Sequence, residues 1–277
     1  MTTKSPPWRY ALCNEMYEDW PLDKVAASAA EIGYEGLELA PFTLCDYVTD
    51  LSLADRKQIR QTIESAGLAV VGLHWLLAKT EGLQLNDTDP SIREKTAQYM
   101  LALIDCCADV GGEVLIFGSP QQRDVHPEYS REEAWKSTVE IMHRCGERAS
   151  ERGVTFCVEP LSTNETDFIV NVSEAAQLVQ DVDHPGFQMM VDCKAMFHTP
   201  IPIPEQIKSV HPLFQHVHVN DPNLLGPGMG DVDFKPILGA LDDLQFSQWL
   251  SVEVFDFSLG AERIARESLA NLKAACP

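Results

Sequence analysis

Four polar side chains stand at the C-terminal ends of short apolar segments, at nearly even intervals along the second half of the chain. They are Glu159, Asp192, His218 and Glu253, at intervals of 33, 26 and 35 residues. One βα unit of a (β/α)8 barrel takes about 30 residues, given roughly 250 for eight, so the spacing predicts four neighbouring strand ends around one mouth of a barrel. Three carboxylates and an imidazole suit one divalent ion such as Mn, Mg or Co, with zinc as an alternative. We expect a metal enzyme.

The apolar segments predict a single (β/α)8 barrel over residues 1–277. Eight short segments are nearly continuous in Val, Ile, Leu, Phe and Met, which is typical of parallel strands buried on both faces. They cover 10–15, 36–40, 69–75, 113–117, 155–159, 187–192, 214–219 and 250–255. Helical periodicity separates them, most clearly over 91–110, 132–152 and 261–275. Because no GxGxxG follows the first strand, a closed barrel is favoured over a doubly wound sheet.

The charge balance limits the partners of this chain. Lys and Arg total 21 against 42 Asp and Glu, and the formal net charge of -21 repels nucleic-acid backbones and anionic lipid surfaces. No apolar stretch approaches the roughly 20 residues of a membrane span. The start, MTTKSPPWRYALCNE, lacks the apolar region of a secretory signal. We therefore expect a cytoplasmic protein that acts on a small molecule, with its eight cysteines reduced.

Three long segments follow predicted strands and are expected on the catalytic face of the barrel. They cover 76–90, 118–130 and 220–234, and the last is rich in glycine (NDPNLLGPGMGDVDF). We expect these segments to form lids or substrate walls. Asn14, Glu15 and Phe42 are expected to line the pocket from the first two strands.

Seven different short motifs are distributed along nearly the whole chain: YALCNEMY, GYEGLELAPF, VEP, VDCKAMFH, HVHVNDPN, GPGMGDVDF and LSVEVF. Together they resemble the xylose isomerase-like superfamily, in particular its sugar isomerase and epimerase branch with ketose 3-epimerases, hydroxypyruvate isomerase and inosose dehydratase. In that family a Glu, an Asp, a His and a Glu at the ends of strands five to eight hold the metal. The matching positions here are Glu159, Asp192, His218 and Glu253. The resemblance and the spacing select the same four residues.

The resemblance also implies a mechanism. A divalent ion that binds the carbonyl and a neighbouring hydroxyl of a keto sugar makes the adjacent C–H acidic by stabilising an enediolate. In the epimerases two metal-bound glutamates remove and return the proton on opposite faces, which assigns these catalytic roles to Glu159 and Glu253. Glu165 is similar to a second glutamate that ketose 3-epimerases place beside the substrate hydroxyls. We expect a sugar isomerase or epimerase that acts on a small keto sugar or related ketone.

The chain departs from the epimerase pattern at two substrate-binding positions. Ala195 replaces a histidine three residues after the metal aspartate, and Leu224 replaces an arginine six residues after the metal histidine. His198 and Lys194 are candidates to replace these groups, and Arg123 is a candidate to grip a carboxylate or phosphate bidentately. The further substrate-binding candidates are His74, Asp231 and Trp75, the last as a flat apolar wall. His216 points in the same direction as His218 on one strand and, with Glu38, is expected to orient the site from behind.

Other functions share parts of this pattern. The superfamily contains zinc-dependent apurinic endonucleases, but Ala195 and Asp233 stand where two of their zinc-binding histidines would be. A dehydratase, or a lyase that acts by β-elimination on a 3-keto-glycoside, would use the same metal and base. It would also need a group that protonates the departing oxygen, such as His74 or His198. A non-enzymatic binding or partner subunit would be expected to have lost a ligand. Pairing through outer helices makes a homo-dimer or homo-tetramer the expected assembly.

Overall fold

Eight parallel strands close into one barrel in the computed structural model, which describes residues 6–277. They are β1 (Arg9–Cys13), β2 (Gly36–Leu39), β3 (Ala69–Leu73), β4 (Val114–Phe117), β5 (Thr155–Val158), β6 (Phe187–Asp192), β7 (Phe214–Val219) and β8 (Trp249–Val252). Each strand pairs with the next, and β8 pairs with β1. The predicted (β/α)8 barrel is confirmed, although several strands end one to three residues before the predicted limits. Residues 1–5 of the predicted domain lie outside the described residues.

Helices cover the outside of the barrel. They are α1 (Leu22–Ile32), α2 (Leu53–Ser65), α3 (Pro90–Val110), α4 (Arg131–Arg152), α5 (Val172–Val182), α6 (Cys193–Phe197), α7 (Ile203–Val210), α8 (Phe234–Asp243) and α9 (Ala261–Ala275). Local signals fix several ends. Ser52 and Ser130 begin α2 and α4 with capping boxes, and Gly111 ends α3 in the left-handed conformation. Within residues 6–277, every helix is too short or too polar to cross a bilayer.

The barrel interior is apolar at the amino ends of the strands and polar at their carboxyl ends. Side chains alternate along a strand with a period of two, so Trp249, Ser251 and Glu253 face inward in succession. Trp249 belongs to a small buried apolar cluster, and the Arg9 guanidinium lies 3.8 Å from its ring centroid at the amino end. Glu253 is at the opposite end, where barrels of this kind place their functional residues.

The larger apolar core lies between the strands and the surrounding helices. Phe156 of β5 stacks on Phe187 of β6 with ring centroids 6.3 Å apart, and Phe214 of β7 stacks on Phe246 at 5.3 Å. All eight cysteines fall within the described residues and are unpaired. This outer core makes the strand positions rigid, so the side chains at the strand ends are held at fixed distances from one another.

Candidate metal centre and active-site cleft

The structure brings the four predicted ligands together at the carboxyl end of the barrel. Glu159 directly follows β5, Asp192 ends β6, His218 lies in β7 and Glu253 directly follows β8. Each offers one oxygen or nitrogen atom, and these atoms all lie within 4.8 Å of one another. All four residues are buried. The regular spacing of these residues along the chain therefore corresponds to one compact cluster in the structure.

The donor atoms of this cluster fit a divalent cation. His218 Nδ1 lies 3.1 Å from Glu253 Oε2 and 3.6 Å from Glu159 Oε1. His218 Nδ1 and Glu253 Oε2 are buried and have no hydrogen-bond partner among residues 6–277. Buried polar atoms are normally partnered, so two unpartnered atoms facing each other suggest a ligand between them. Three carboxylates and one imidazole could hold one such ion.

Asp192 is positioned by two hydrogen bonds from its surroundings. The backbone N of Ala195 donates to Oδ1 at 2.6 Å, and Asn220 Nδ2 donates to Oδ2 at 2.6 Å. Burial raises the pKa of Asp192 to about 7, and the negative charges of Glu159 and Glu253 add to this rise. A carboxyl group with this pKa has a proton to release when a cation binds near neutral pH.

Asn220 is a site residue for which the sequence carried no prediction. Its side-chain oxygen accepts a hydrogen bond from the backbone N of Lys194 at 2.8 Å, while its amide group donates to Asp192. It therefore fixes the beginning of α6 against the end of β7. The signal that could have identified it is its place in HVND, two residues after His218 and on the same inward-facing side.

Glu38 lies behind the ligand set at the centre of the barrel. Its two oxygens are 2.7 Å from His216 Nε2 and 3.0 Å from His218 Nε2, and the side chain is fully buried. Burial alone would raise the pKa of Glu38, but the charges of His216 and His218 hold it well below its ordinary range. An ionised carboxylate only accepts hydrogen bonds, so both histidines donate from Nε2. This contact turns Nδ1 of His218 towards Glu159 and Glu253.

His74 lies inside the barrel and does not face the cleft. Its Nε2 is 2.8 Å from Glu15 Oε2, its Nδ1 is 3.7 Å from Glu38 Oε1, and its exposure is 1%. The structure therefore places His74 away from the cleft. The physical reason is that β3 ends at Leu73, so the next side chain turns inward onto two carboxylates that attract it.

Arg123 is also turned away from substrate. Its guanidinium donates to the backbone carbonyls of Glu159 at 2.7 Å, Ile169 at 3.3 Å and Phe117 at 3.4 Å, and the residue is fully buried. The guanidinium is therefore directed at the backbone and not at a position in the cleft where it could grip a carboxylate or phosphate. Burial lowers the pKa of Arg123 to about 10. Its contact with the carbonyl of Glu159 makes it a support for the loop that carries that ligand.

His198 and Asp231 stand on the surface. Both are exposed, and neither lines the cavities at the mouth of the barrel. His198 follows the end of α6, where the chain turns to solvent. In the 220–234 segment the inward carboxylate is Asp221, whose Oδ2 accepts from the backbone N of Gly230 at 3.1 Å. The structure therefore does not bring His198 and Asp231 together with the ligand set.

Lys194 and Glu165 form a largely buried ion pair next to the ligand set. Lys194 Nζ donates to Glu165 Oε1 and lies 4.5 Å from the ring centroid of Phe255. Glu165 Oε2 accepts from Ser162 Oγ at 2.8 Å. Burial would raise the pKa of Glu165, but the charge of Lys194 lowers it below its ordinary value. Two predicted substrate-binding residues thus meet in one charged pair.

Trp75 connects the ligand set to the cleft. Its indole Nε1 donates to Glu253 Oε1 at 3.0 Å, which leaves Oε2 directed at His218. Its φ of 53° lies in the left-handed region, an uncommon conformation for a bulky residue that often marks a functional site. The ring lies 6.1 Å from that of Phe255 and 6.4 Å from that of Phe42, measured between centroids. Trp75 therefore forms a wall of the cleft beside the ligand set.

The cleft has two connected parts. An inner pocket is bounded by Glu159, Glu165, Glu253, Trp75 and Phe255. An outer cavity of about 820 Å³ adjoins it and shares Trp75, Ser119, Pro120 and Phe255 as walls. The outer cavity is also lined by the three residues expected from the first two strands, Asn14, Glu15 and Phe42.

These features define a class of protein: a closed (β/α)8 barrel with a buried, acid-rich ligand set at the ends of β5 to β8. The family model described as xylose isomerase-like TIM barrel matches residues 26–275. The chain belongs to this family, which confirms the resemblance noted from its motifs.

Relatives in this family are named as sugar epimerases and as a dehydratase. The chain is 20% identical to fructoselysine 3-epimerase of Shigella flexneri, over 93% of this chain and 94% of that protein. It is 24% identical to inosose dehydratase of Klebsiella pneumoniae (strain 342), over 58% of this chain and 64% of that protein. The D-psicose 3-epimerase from Clostridium cellulolyticum H10, crystallised with D-tagatose, has a TM-score of 0.83 at 19% identity, covering 96% and 99% of the two chains.

Proposed function

We propose that this protein is a divalent-metal-dependent sugar isomerase or epimerase that acts on a small keto sugar or a related ketone by proton abstraction. The supporting observation is the convergence of Glu159, Asp192, His218 and Glu253 within 4.8 Å. Two of these residues, Glu159 and Glu253, also line the inner pocket, where a substrate carbon could reach their carboxylates. Glu159 and Glu253 would thus both bind the metal ion and transfer the proton.

The four convergent residues would hold the ion. When bound, a divalent cation would supply the positive charge that makes a C–H beside a ketone carbonyl acidic. Glu38 fixes the ring of His218, and Trp75 fixes the carboxylate of Glu253, so the ligand atoms are oriented before any substrate arrives. Such preorganisation is what a proton-transfer site requires, since no side chain has to reorganise during the reaction.

Glu159 and Glu253 are the proposed bases. One carboxylate takes the proton as the substrate C–H bond breaks, and the freed electron pair forms the carbon–carbon double bond of an enediolate. The other carboxylate returns a proton as the new C–H bond forms. Because β6 and β7 separate β5 from β8 in the barrel, the two glutamates approach the inner pocket from different sides. Removal on one side and return on the other would invert the carbon, which is epimerisation.

Glu165 is the proposed contact for the substrate hydroxyls, and Lys194 is the residue that positions it. They compensate for the histidine and arginine that the chain lacks at positions 195 and 224. Glu165 lines the inner pocket, and Lys194 stands behind it with a fixed positive charge. A carboxylate held by a lysine accepts hydrogen bonds well, because the lysine keeps it ionised.

Elimination is the second candidate reaction, and the similarity to an inosose dehydratase favours it. A dehydratase or a lyase would remove the same proton and then expel a neighbouring oxygen substituent, which has to be protonated. His74 and His198, the donors suggested by the sequence, do not reach the cleft. The Lys194–Glu165 pair lies beside the inner pocket and would have to supply that proton. Isomerisation needs no such donor, so it is the function that the geometry supports best.

The test measures by NMR the exchange of substrate protons with solvent deuterium. The protein is loaded with Mg and kept free of Mn, because paramagnetic Mn would broaden the signals. A panel of aldoses, ketoses, inososes and 3-keto-glycosides covers both reactions. Wild-type protein should exchange the proton beside the carbonyl, and chelation of the ion should stop the exchange. Glu159→Gln and Glu253→Gln should each lower the rate by at least about 100-fold.

Glu113→Gln is a matched control, because Glu113 accepts hydrogen bonds from Trp249 and Arg9 at the amino end of the barrel, far from the ligand set. It should retain wild-type exchange. Continued exchange in both active-site variants would refute the two-glutamate mechanism. Formation of a dehydrated product instead of an epimer would show that the reaction is elimination.

We also propose that a small carbohydrate is the physiological partner. The net charge of -21 opposes binding to nucleic acid or to anionic membranes. A dimer or tetramer formed through the outer helices stays a prediction, and sedimentation equilibrium of the purified chain would measure it.

A further inference from the structure

The outer cavity is larger than a simple keto sugar requires. A ketohexose has about 12 non-hydrogen atoms, and even at the roughly 30 Å³ that each water molecule occupies in the liquid it would fill only about 360 Å³. The outer cavity alone measures about 820 Å³. A free ketose bound with its carbonyl in the inner pocket would therefore leave most of the cleft without contacts. A cavity of this size lies within the range that holds drug-sized ligands, so it has room for a second unit beside the keto sugar.

Aromatic side chains form much of the wall of this cavity. Phe42, Trp75, Phe255 and Phe257 contribute from the loops after β2, β3 and β8. Phe42 and Trp75 meet edge to face, at an interplanar angle of 88°. Partly exposed aromatic faces provide stacking surfaces for flat rings, and Trp75 continues this surface directly to the ligand Glu253. A second ring linked to the keto sugar would meet this wall.

Acidic side chains line the same cavity. Glu15 lines it and is only 7% exposed, and its Oε2 is engaged by His74. Glu18 and Asp19 line it as well. Carboxylate oxygens accept hydrogen bonds, so these side chains suit a ligand that donates hydroxyl groups. The second unit should therefore carry hydroxyl groups.

The charges around the cavity oppose anionic ligands. Glu15, Glu18 and Asp19 line it, and within residues 6–277 its one lining cation is Lys79, whose Nζ lies 4.1 Å from the ring centroid of Phe42. The other cations near the cleft are engaged, Arg123 by backbone carbonyls and Lys194 by Glu165. A phosphate or carboxylate would meet net negative charge without a guanidinium to pair with it.

We propose that the outer cavity is a subsite for an uncharged, hydroxyl-bearing ring, so that the substrate is a keto-glycoside rather than a free ketose or a sugar phosphate. This inference rests on the proposed function, since it extends the same cleft. Two sources supply such a ring: a second sugar and a phenolic aglycone. Both would stack on the aromatic wall and donate hydrogen bonds to the acidic side chains of the cavity, and the two are separated by the experiment.

The first measurement is binding, which does not depend on turnover. Isothermal titration of the metal-loaded protein would compare unreactive glucosides: methyl β-D-glucoside, cellobiose, 4-hydroxyphenyl β-D-glucoside and glucose 6-phosphate. At least one two-ring ligand should bind about tenfold or more tightly than methyl β-D-glucoside, and glucose 6-phosphate should bind no more tightly than that reference. Preference for cellobiose identifies a sugar ring, and preference for the hydroxyphenyl glucoside identifies an aglycone.

Two variants test whether the outer cavity causes the preference for two-ring ligands. Phe257→Ala should reduce the affinity of the preferred two-ring ligand about five- to tenfold, because it removes one stacking face from the wall. Phe197→Ala is the matched control, because Phe197 is 49% exposed on α6 and lies outside both parts of the cleft. It should leave all affinities unchanged. Equal affinities for one-ring and two-ring ligands, tightest binding of glucose 6-phosphate, or equal effects of the two substitutions would each overturn the proposal.

Deuterium exchange separates failure of this proposal from failure of the proposed function. The value of kcat/KM for exchange should be at least tenfold higher for a 3-keto-glucoside than for 3-ketoglucose. Exchange at equal efficiency for both, with no preference in binding, would reject the subsite and leave the isomerase function standing. Selective binding of two-ring ligands, without deuterium exchange in any candidate substrate, would reject the isomerase function and support the subsite.

Discussion

Replacement of Glu38 by Gln tests how the buried layer beneath the ligand set controls metal binding. Glu38 accepts from Nε2 of both His216 and His218, at 2.7 and 3.0 Å. A glutamine offers one acceptor oxygen, and its NH2 group faces the other histidine. That histidine must then lose its hydrogen bond or move its proton to Nδ1. If His218 makes this change, Nδ1 no longer offers a lone pair to a cation.

The expected magnitudes follow from these contacts. Hydrogen bonds to charged groups contribute about 1.5–3 kcal/mol each, so losing one should lower the free energy of unfolding by about 2 kcal/mol. For a chain of this size that corresponds to a decrease in Tm of about 3–4 °C. Partners that orient a metal-binding histidine typically change affinity by about 10–100-fold, so the metal Kd should rise by this factor.

The assay combines metal titration by competition with a chelator and thermal unfolding of the metal-free protein. Glu113→Gln is again the matched control, because Glu113 also accepts from two donors, Trp249 and Arg9, but at the amino end of the barrel. It should leave the metal Kd unchanged. A metal Kd within twofold of wild type for the Glu38→Gln variant would refute the argument that Glu38 sets the tautomer of His218.

Two further predictions concern the ligand set itself. A Cβ on Gly118 would lie 2.2 Å from Glu159 Oε2, so Gly118→Ala should displace this carboxylate and weaken metal binding by at least about tenfold. The control Gly239→Ala, in open space within α8, should keep the metal Kd and stabilise the fold by about 0.5–1 kcal/mol in urea unfolding. Because burial raises the pKa of Asp192 to about 7, metal binding should release at least about one proton at pH 6, and affinity should increase with pH between 6 and 8. Calorimetry in buffers of different ionisation enthalpy measures this release, and an affinity independent of pH would contradict the buried carboxyl cluster.

The amino-acid sequence determined the barrel and the identity of the convergent cluster. Continuous apolar runs mark strands that are buried on both faces, and this property depends only on local composition. The ends of β5 to β8 meet at one mouth in any closed parallel barrel, so Glu159, Asp192, His218 and Glu253 could be placed together before any coordinates. The direction of His216 towards the same side as His218 follows equally from the two-residue period of a strand.

Tertiary structure decided which of the remaining polar residues reach the cleft. Arg123 and His74 follow strands β4 and β3 on the functional face, yet one is covered by backbone carbonyls and the other turns inward onto Glu15 and Glu38. Loop residues obey no period, so their side-chain directions depend on partners that are distant in the chain. The same holds for Asn220, whose contact with Asp192 exists only because β6 and β7 are neighbours. Strand geometry is repetitive and can be inferred from sequence, whereas a loop conformation results from the balance of many contacts across the fold.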